Sequence, residues 1–242
     1  MRLSAVVMGM VVAGGMCGSA LAADGFYVGI DGGRSWSANV GNGEGTTYGK
    51  NFNGTISDSG QDGGAVVGAN IGWRFSDLLR TDISYAYLRG DAKWTGRFPA
   101  GTNPTNFTAD TQSHVLLLNG FLHGKGVAPG LFSVVDPFIG GGIGWTRNTL
   151  SDINESQDGA LGARVARGTT DQFAYRLGGG FDIPINESLT FTTKADFYWL
   201  GNFNSGDSRQ AQQAGWATGA IGAWQQTDSR LMVTTVGLRY SF

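Results

Sequence analysis

The residues with the clearest catalytic potential are the two histidines of the chain, His114 and His123. Ser113 directly precedes His114, and a serine activated by a histidine is the pair that acyl-transfer enzymes use. Adjacent residues of a β-strand, however, point their side chains to opposite faces. We therefore predict that the protein is not an enzyme and that His114 lies at an interface or at the base of a loop.

The sequence also contains no recognisable metal-binding or phosphate-binding site. A metal site needs clustered histidine, cysteine or carboxylate ligands. The acidic residues of the polar segments are scattered, for example Asp58, Asp62, Asp152, Glu155 and Asp158. The glycine-rich run 140–144 lacks the following helix and the lysine of a phosphate loop. We expect no bound metal and no cofactor.

A third group of residues is better placed for electrostatic pairing. Isolated charges stand at alternate positions among Gly, Ser, Thr and Asn in segments that read as strands. The seven charges are Arg74, Asp82, Arg176, Asp182, Lys194, Asp196 and Arg239. In a confined interior each charge needs a partner of opposite sign, so these residues are predicted to form an internal network.

The elements that position these charges show alternation with a period of two. In the segment 173–183, Tyr175 and Leu177 lie on one face, and Arg176 and Gly178 lie on the other. Such alternation predicts β-strands. Eight segments of this kind are found at 25–37, 64–75, 80–94, 112–123, 135–147, 171–183, 189–203 and 229–242. The fourth segment is apolar on both faces, so its pattern does not orient it.

The connections between these segments alternate between long and short. The long ones are 38–63, 95–111, 148–170 and 204–228, and the short ones are 76–79, 124–134 and 184–188. This alternation predicts one antiparallel sheet with all its long loops at one end.

Such a sheet suits either a soluble sandwich or a membrane barrel. Aromatic residues favour the barrel, because they are predicted at both ends of the apolar faces, as in interfacial girdles. One set is Phe26, Trp73, Phe75, Tyr240 and Phe242, and the other is Trp36, Trp94, Trp145 and Trp199. A sheet in lipid must close on itself, and an even strand number allows this. We predict an all-β fold, an eight-stranded antiparallel transmembrane β-barrel with four long extracellular loops and short periplasmic turns.

The composition agrees with a barrel and excludes other classes. Only 15% of the residues are charged, and 17 Lys+Arg stand against 19 Asp+Glu, which excludes a basic nucleic-acid binder. Glycine accounts for 41 of the 242 residues. Many glycines fall on predicted lumen positions, where they leave room for long charged side chains: Gly68, Gly72, Gly140, Gly142, Gly144, Gly178, Gly180 and Gly237.

The first residues are typical of a secretory signal peptide. A positive start, an apolar run from Leu3 to Met16 and the small-x-small site Ala20–Ala22 predict export with cleavage after Ala22. We therefore divide the chain into a signal peptide, 1–22, and a barrel domain, 23–242. The single cysteine, Cys17, lies in the signal peptide, so the mature chain is expected to have no disulfide.

Four sequence stretches resemble the small bacterial outer-membrane β-barrel surface proteins, including the opacity-type antigens. They are 25–29 (GFYVG), 137–144 (PFIGGGIG), 177–182 (LGGGFD) and 236–242 (VGLRYSF). The resemblance implies an integral protein of the cell outer membrane, in contact with its lipids and lipopolysaccharide. It also implies that the outer-membrane assembly machinery reads Val236, Leu238, Tyr240 and Phe242.

The resemblance defines the fold better than the activity. We expect a structural surface protein with a plugged lumen, whose long loops contact host or environmental ligands in adhesion or envelope integrity. The loop aromatics Tyr48, Phe52, Trp216 and Trp224 suit recognition or simply cover the loop base. The alternative is a narrow channel or a lateral transporter for small molecules, since eight strands leave no wide pore. A lipid-modifying barrel enzyme using His114 is the remaining alternative.

Overall fold

The computed structural model describes residues 25–38, 46–48, 55–97, 103–132 and 134–242. The predicted signal peptide, 1–22, and the loop residue Phe52 lie outside these ranges. Within the described ranges, no helix is both long enough and apolar enough to span a membrane.

Thirteen strands and one short helix make up the described secondary structure. The strands are β1 (Phe26–Ser37), β2 (Thr46–Tyr48), β3 (Thr55–Arg74), β4 (Leu79–Arg97), β5 (Thr105–His123), β6 (Asp136–Leu150), β7 (Ile153–Gln157), β8 (Ala160–Val165), β9 (Gly168–Pro184), β10 (Leu189–Asn204), β11 (Ser208–Ala211), β12 (Gly219–Ala220) and β13 (Trp224–Ser241). The helix α1 (Gly124–Val127) lies between β5 and β6.

Eight of these strands close into a barrel. The order around the ring is β1–β3–β4–β5–β6–β9–β10–β13, and β13 returns to pair with β1. Every pairing is antiparallel. The predicted eight-stranded antiparallel barrel is confirmed, and closure leaves no unpaired sheet edge within its lipid-facing part.

The exterior of the barrel carries a belt of exposed apolar side chains. On β9, Tyr175 and Leu177 are exposed, whereas Ala174 and Arg176 are buried inside. Neighbouring strands continue the belt with residues such as Ile30, Ile71, Ile83, Leu118, Ile139, Ile143, Phe197 and Val236. Exposure of so many large apolar groups is unfavourable in water and favourable in a bilayer.

The short connections lie at the end of the barrel that carries the chain terminus Phe242. The Ser76 hydroxyl accepts hydrogen bonds from the amides of Leu78 and Leu79. At the equivalent turn the Asn186 side chain accepts them from Ser188 and Leu189. Side chains of this type close tight turns by satisfying backbone donors locally. Bacterial outer-membrane barrels have their short turns on the periplasmic side, so we call this the periplasmic end and the opposite end the extracellular end.

At the opposite end the strands extend further than their sequence patterns predict. β3 begins at Thr55 rather than at residue 64, and β5 begins at Thr105 rather than at residue 112. β3 has 20 residues, which span about 45 Å along the barrel axis at ~3.3 Å per residue and a tilt of about 45°. An apolar belt is about 25 Å tall, so the strands project about 20 Å beyond it.

This projecting part contains β-structure where the sequence predicts long loops. β7 pairs with β5, β8 with β7, β11 with β8, and β12 with β11, while β2 pairs with β13. We call these strands, together with the projecting ends of the barrel strands, the extracellular extension. The long connections predicted at 148–170 and 204–228 therefore contain short paired strands, which the sequence patterns did not indicate.

The structure also orients the fourth barrel strand, β5. Leu116 and Leu118 are exposed on the outside, whereas Val115 and Leu117 are buried inside. The strand is apolar on both faces because the lumen contains an apolar layer at this height.

Candidate functional site in the barrel lumen

The barrel lumen is filled by layers of different chemistry. The inward residues of β4 show their order from the periplasmic end: Arg80 and Asp82, then Ala86 and Leu88, then Ala92 and Trp94. We name the three layers the charged cluster, the apolar layer and the aromatic cluster. Their composition determines what can pass through the barrel.

Asp182 is the centre of the charged cluster. Its carboxylate accepts hydrogen bonds from Arg239 Nη1 at 2.8 Å and from Thr192 Oγ1 at 2.7 Å. Arg80 Nη1 lies 3.8 Å from the same carboxylate. All four side chains are buried. The two guanidinium groups are therefore neutralised in large part by one carboxylate.

A second carboxylate, Asp82, is held by neutral donors. Tyr27 Oη donates to it at 3.0 Å and Asn119 Nδ2 at 2.6 Å. Arg80 lies beside Asp82 in the same layer, and its guanidinium is 4.2 Å from the ring centroid of Phe121. A guanidinium over an aromatic face gains cation–π stabilisation, which is strongest where water is excluded.

Three of the remaining predicted charges form two further pairs, one of them with Asp31. Arg176 Nε is 3.4 Å from Asp196 Oδ1, and both side chains are buried. Lys194 Nζ donates to Asp31 Oδ2 at 2.7 Å. Opposite charges therefore lie in pairs inside the lumen, as confined charges require.

The periplasmic rim of the cluster is centred on Asp136. This carboxylate accepts hydrogen bonds from Arg74 Nη2 at 3.1 Å and from the Lys125 amide at 2.8 Å. It also shares a hydrogen bond of 2.8 Å with His123 Nδ1. Ligating atoms of His123, Asp136 and Asp182 lie within 4.8 Å of one another. A metal ion there would have to displace arginines from both carboxylates, so the group acts as a hydrogen-bonded network.

The structure places the seven charges predicted from the sequence inside the barrel or, for Arg74, at its rim. It adds participants that the sequence analysis missed: Tyr27, Asp31, Arg80, Asn119, His123 and Asp136. Arg80 lies two residues before Asp82 and therefore on the same face of the strand, so the alternation could have identified it as a lumen residue. His123 and Asp136 stand at strand ends, where alternation gives the least information.

The predicted lumen glycines make room for these side chains. A Cβ atom on Gly72 would lie 2.5 Å from Tyr27 Oη, and one on Gly178 would lie 2.2 Å from Asp196 Oδ1. What space remains is small. A cavity beside Asp31, Arg80 and Lys194 has a volume of about 20 Å³, enough for about one water molecule.

Above the charged cluster, the apolar layer fills the cross-section with aliphatic and aromatic groups. Its members are Val66, Ala86, Leu88, Val115, Leu117, Ala174, Tyr198, Leu200, Leu231 and Val233. All of them are at most 7% exposed. The lumen is therefore apolar at this height, which explains why the fourth predicted strand is apolar on both faces.

The aromatic cluster closes the extracellular end. Trp94 stacks on Phe107 with their centroids 5.4 Å apart, and Trp224 packs against Phe107 at 4.7 Å. Trp94 and Trp224 are thus buried. The prediction of Trp94 in a lipid-facing girdle is wrong, and of the two alternatives predicted for Trp224 the structure supports the one in which it covers the loop base. Trp216 is half-buried against Gly162, and Tyr48 is described only by its backbone pairing.

One acidic residue of the extension, Glu155, lies beside this cluster. Its carboxylate accepts a hydrogen bond from Arg209, whose guanidinium lies over the ring of Trp216. Burial raises the pKa of the Glu155 carboxyl, and the Arg209 charge opposes that rise. The pair therefore links β7 to β11 at some cost in desolvation.

The candidate catalytic pair is separated by the barrel wall. Ser113 is buried in the lumen and donates to Asn148 Oδ1 at 2.8 Å. His114 is exposed on the outer face and shares a hydrogen bond of 2.7 Å with Tyr85 Oη. The two side chains do not meet, so they cannot act as nucleophile and base on one substrate.

The residues predicted to form the assembly signal lie on the lipid face. Val236, Leu238, Tyr240 and Phe242 are all exposed. The ring of Phe242 contacts those of Tyr240 and Phe26, with centroids 5.1 and 5.3 Å apart. Their recognition by assembly machinery stays a prediction.

Comparison with solved structures identifies the fold. The chain superimposes on the outer membrane protein OprG of Pseudomonas aeruginosa with a TM-score of 0.52 and 14% identity, covering 90% of this chain and 97% of that one. A major outer membrane protein of Thermus thermophilus gives a TM-score of 0.51 and 11% identity, with coverage of 90% and 99%. The chain has the fold of the small bacterial outer-membrane β-barrels. Together with the exposed apolar belt, this fold places the protein in the outer membrane.

The relatives found by sequence comparison do not indicate an activity. No family model matches the chain. An uncharacterised protein of Brucella suis biovar 1 is 26% identical over 213 residues, covering 74% of this chain and 69% of the relative. An uncharacterised protein of Brucella abortus is 26% identical over 215 residues with the same coverage. Function must therefore be argued from the barrel itself.

Proposed function

We propose that this outer-membrane barrel is a closed, non-enzymatic surface protein that holds its extracellular extension in contact with the environment. The observation that carries the proposal is the filling of the lumen by three successive layers, with a cavity of only about 20 Å³ beside the charged cluster. A barrel that conducts solutes needs a continuous polar path, whereas this lumen is interrupted by the apolar layer.

The physical barrier is highest at the apolar layer. An ion crossing it would lose its water ligands without gaining hydrogen-bond partners, which costs many kcal/mol. The charged cluster beneath adds a second barrier, because its carboxylates already bind arginines, as Asp182 does with Arg239. Opening a path would require several buried ion pairs to separate together.

The extension supports the second half of the proposal. It is built of paired strands over a buried aromatic cluster, so it is a folded structure and projects about 20 Å beyond the belt. It exposes small and polar residues between β11 and β12, among them Gln212 and Gln213. A folded, projecting structure of this kind suits contact with other surfaces, in adhesion or in support of the envelope.

The alternative function is transport of a small molecule through a narrow or lateral path. The observation that favours it is the apolar layer, since an apolar solute leaving sideways would need apolar lumen walls. The layer is filled by its own side chains, however, and the eight-strand ladder around it is continuous.

Cysteine labelling on intact cells tests the proposed role. The mature chain has no cysteine of its own if cleavage follows Ala22, so single cysteines can be introduced at Gln213 on the extension and at Glu187 in a periplasmic turn. A membrane-impermeant biotin maleimide should label Gln213→Cys and leave Glu187→Cys unlabelled until the cells are lysed. The converse labelling would contradict the orientation.

Capping then tests the contact function. Cells expressing the protein should attach better than control cells to surfaces coated with laminin, fibronectin or heparin. Streptavidin bound to the biotinylated Gln213→Cys chain should abolish that gain. Attachment that expression does not change on any of these surfaces would refute an adhesive role and leave support of the envelope.

A further inference from the structure

The outer surface of four adjacent strands carries an ordered change in polarity. The strand register aligns outward residues of β4, β5, β6 and β9 into rows across the sheet. Two rows are apolar or aromatic: Ile83–Leu118–Ile143–Tyr175 and, one step nearer the extension, Tyr85–Leu116–Trp145–Phe173. The next row is Tyr87–His114–Arg147–Asp171, which we call the polar row.

This change places the polar row at the level of the lipid headgroups. The two lower rows consist of exposed side chains that belong in the acyl region. Tyr85 and Trp145, in the second row, are residues that concentrate at the membrane–water interface. The row above the polar row, Arg89–Gln112–Thr149–Thr169, is wholly polar. The polar row therefore faces the headgroups of the outer leaflet.

Hydrogen bonds and ring contacts hold the side chains of the polar row in defined positions. His114 Nδ1 shares its hydrogen bond with Tyr85 Oη, which fixes the ring, and the ring of Tyr87 is 5.1 Å from that of His114. Arg147 Cζ lies 5.6 Å from the ring centroid of Trp145. Asp171 accepts two hydrogen bonds from Arg147, at 2.8 and 2.9 Å.

We propose that the polar row binds a phosphate group of an outer-leaflet lipid, whose acyl chains lie along the two apolar rows beneath. The ligand this fits is a phosphorylated, acylated glycolipid, which is the chemistry of lipopolysaccharide. Arg147 supplies N–H donors that Asp171 does not use, His114 supplies its Nε2 side, and Tyr87 supplies a hydroxyl. Arginine is suited to phosphate because its planar fork of donors matches the phosphate oxygens.

The exposed Asp171 modulates this site without blocking it. Arg147 and Asp171 are both exposed, and an exposed ion pair contributes little to stability because water screens it. A phosphate group carries more charge than a carboxylate and can compete for the same guanidinium. Asp171 also repels the phosphate, so its removal should strengthen binding, whereas removal of Arg147 should weaken it. This opposition of sign distinguishes a lipid site from an ion pair that only supports the fold.

Binding of three probes to the refolded protein in detergent micelles tests the inference. The probes are purified lipopolysaccharide, the same lipid after enzymatic dephosphorylation, and inorganic phosphate. The intact lipid should bind tightest, and Arg147→Ala should weaken it about five- to tenfold, as expected for loss of a charge-assisted hydrogen bond at a partly hydrated site. Asp171→Asn should bind about two- to fivefold tighter, in line with removal of a weak exposed competitor.

The matched control is Arg164→Ala. Arg164 is an exposed arginine of β8 that donates to Asn154 Oδ1 at 3.2 Å, in the extension and away from the polar row. Its loss should leave the affinity unchanged. The heat-dependent gel shift of each variant verifies that the barrel is folded, which is expected because all three positions are exposed.

Three results would overturn the proposal. If the dephosphorylated lipid binds as tightly as intact lipopolysaccharide, the site does not recognise phosphate. If inorganic phosphate binds as tightly as intact lipopolysaccharide, the site does not recognise the lipid. Loss of affinity in both Arg147→Ala and Asp171→Asn, or in neither, would show that the ion pair has no role as a phosphate site. The inference depends on the barrel's position in the membrane and not on the function proposed for the extension.

Discussion

We expect removal of the Asp182 charge to destabilise the charged cluster more than any other single substitution in it. Asp182 is within 4 Å of both Arg239 and Arg80, and it also binds the Thr192 hydroxyl. In Asp182→Asn two buried guanidinium groups lose their shared counter-charge. Breaking a buried ion pair from one side costs about 3–5 kcal/mol, so we expect a loss of that size in the free energy of unfolding.

Asp171→Asn is the matched control, because Asp171 binds a guanidinium with similar distances on the exposed surface. Its loss should lower the free energy of unfolding far less than the loss of Asp182, because water screens this exposed ion pair. The measurement is reversible unfolding by guanidinium chloride in lipid vesicles, followed by tryptophan fluorescence. Thr192→Val gives a milder test of the same site, with about 1 kcal/mol expected for one lost hydrogen bond.

The result that would refute the reasoning is a difference of less than about 1 kcal/mol between Asp182→Asn and Asp171→Asn, given the about 3–5 kcal/mol expected for a buried pair. It would mean that water reaches the charged cluster freely, and the lumen would then not be sealed at the periplasmic end.

Two further predictions concern a lumen glycine and the extension. Gly72→Ala would place a Cβ against Tyr27 Oη and should lower the free energy of unfolding by about 1–3 kcal/mol. The control is Gly120→Ala, where an added Cβ would have no atom within 4 Å. It should change the free energy of unfolding by less than about 0.5 kcal/mol in the same denaturation assay. Equal effects would contradict the packing account. Burial raises the pKa of Glu155, so the unfolded chain releases this proton at lower pH than the folded extension does. The contribution of Glu155 to the stability of the extension should therefore be greatest below about pH 4 and decline as the pH rises through the folded-state pKa. Amide exchange of β7 and β8, corrected for intrinsic rates, should show this loss in the wild type and not in Glu155→Gln; protection that increases with pH would contradict it.

The barrel could be predicted from sequence because lipid imposes a strict rule on every strand. Tyr175 and Leu177 must face the bilayer, so the intervening residues, such as Arg176, must face inward, and the alternation reveals both faces. Pairing within the lumen could not be predicted. Asp182 and Arg239 are on β9 and β13, which are separated in the ring by β10, and only the closed geometry brings them within 2.8 Å.

The alternation pattern did not predict the aromatic cluster, because the rule that apolar strand residues face outward toward lipid is reversed beyond the bilayer. Within the belt, the outward face of every strand is apolar because it meets lipid, but in the projecting part the outward face meets water, so large apolar residues must face inward. Trp94 and Trp224 lie in that part, so an assignment based on the lipid rule puts them on the wrong side. The strand extensions carried too many polar and small residues, as in Ser57–Gly64, to be recognised as continuations of the barrel.

The most direct test of the closed lumen is the conductance of the refolded protein in a planar lipid bilayer. The three filled layers predict no discrete openings in the wild type at voltages up to about 100 mV, since a single charge gains only about 2.3 kcal/mol from such a field. Discrete openings in the wild type that disappear when Arg176 or Lys194 is replaced would contradict the closed barrel and establish a gated channel through the charged cluster.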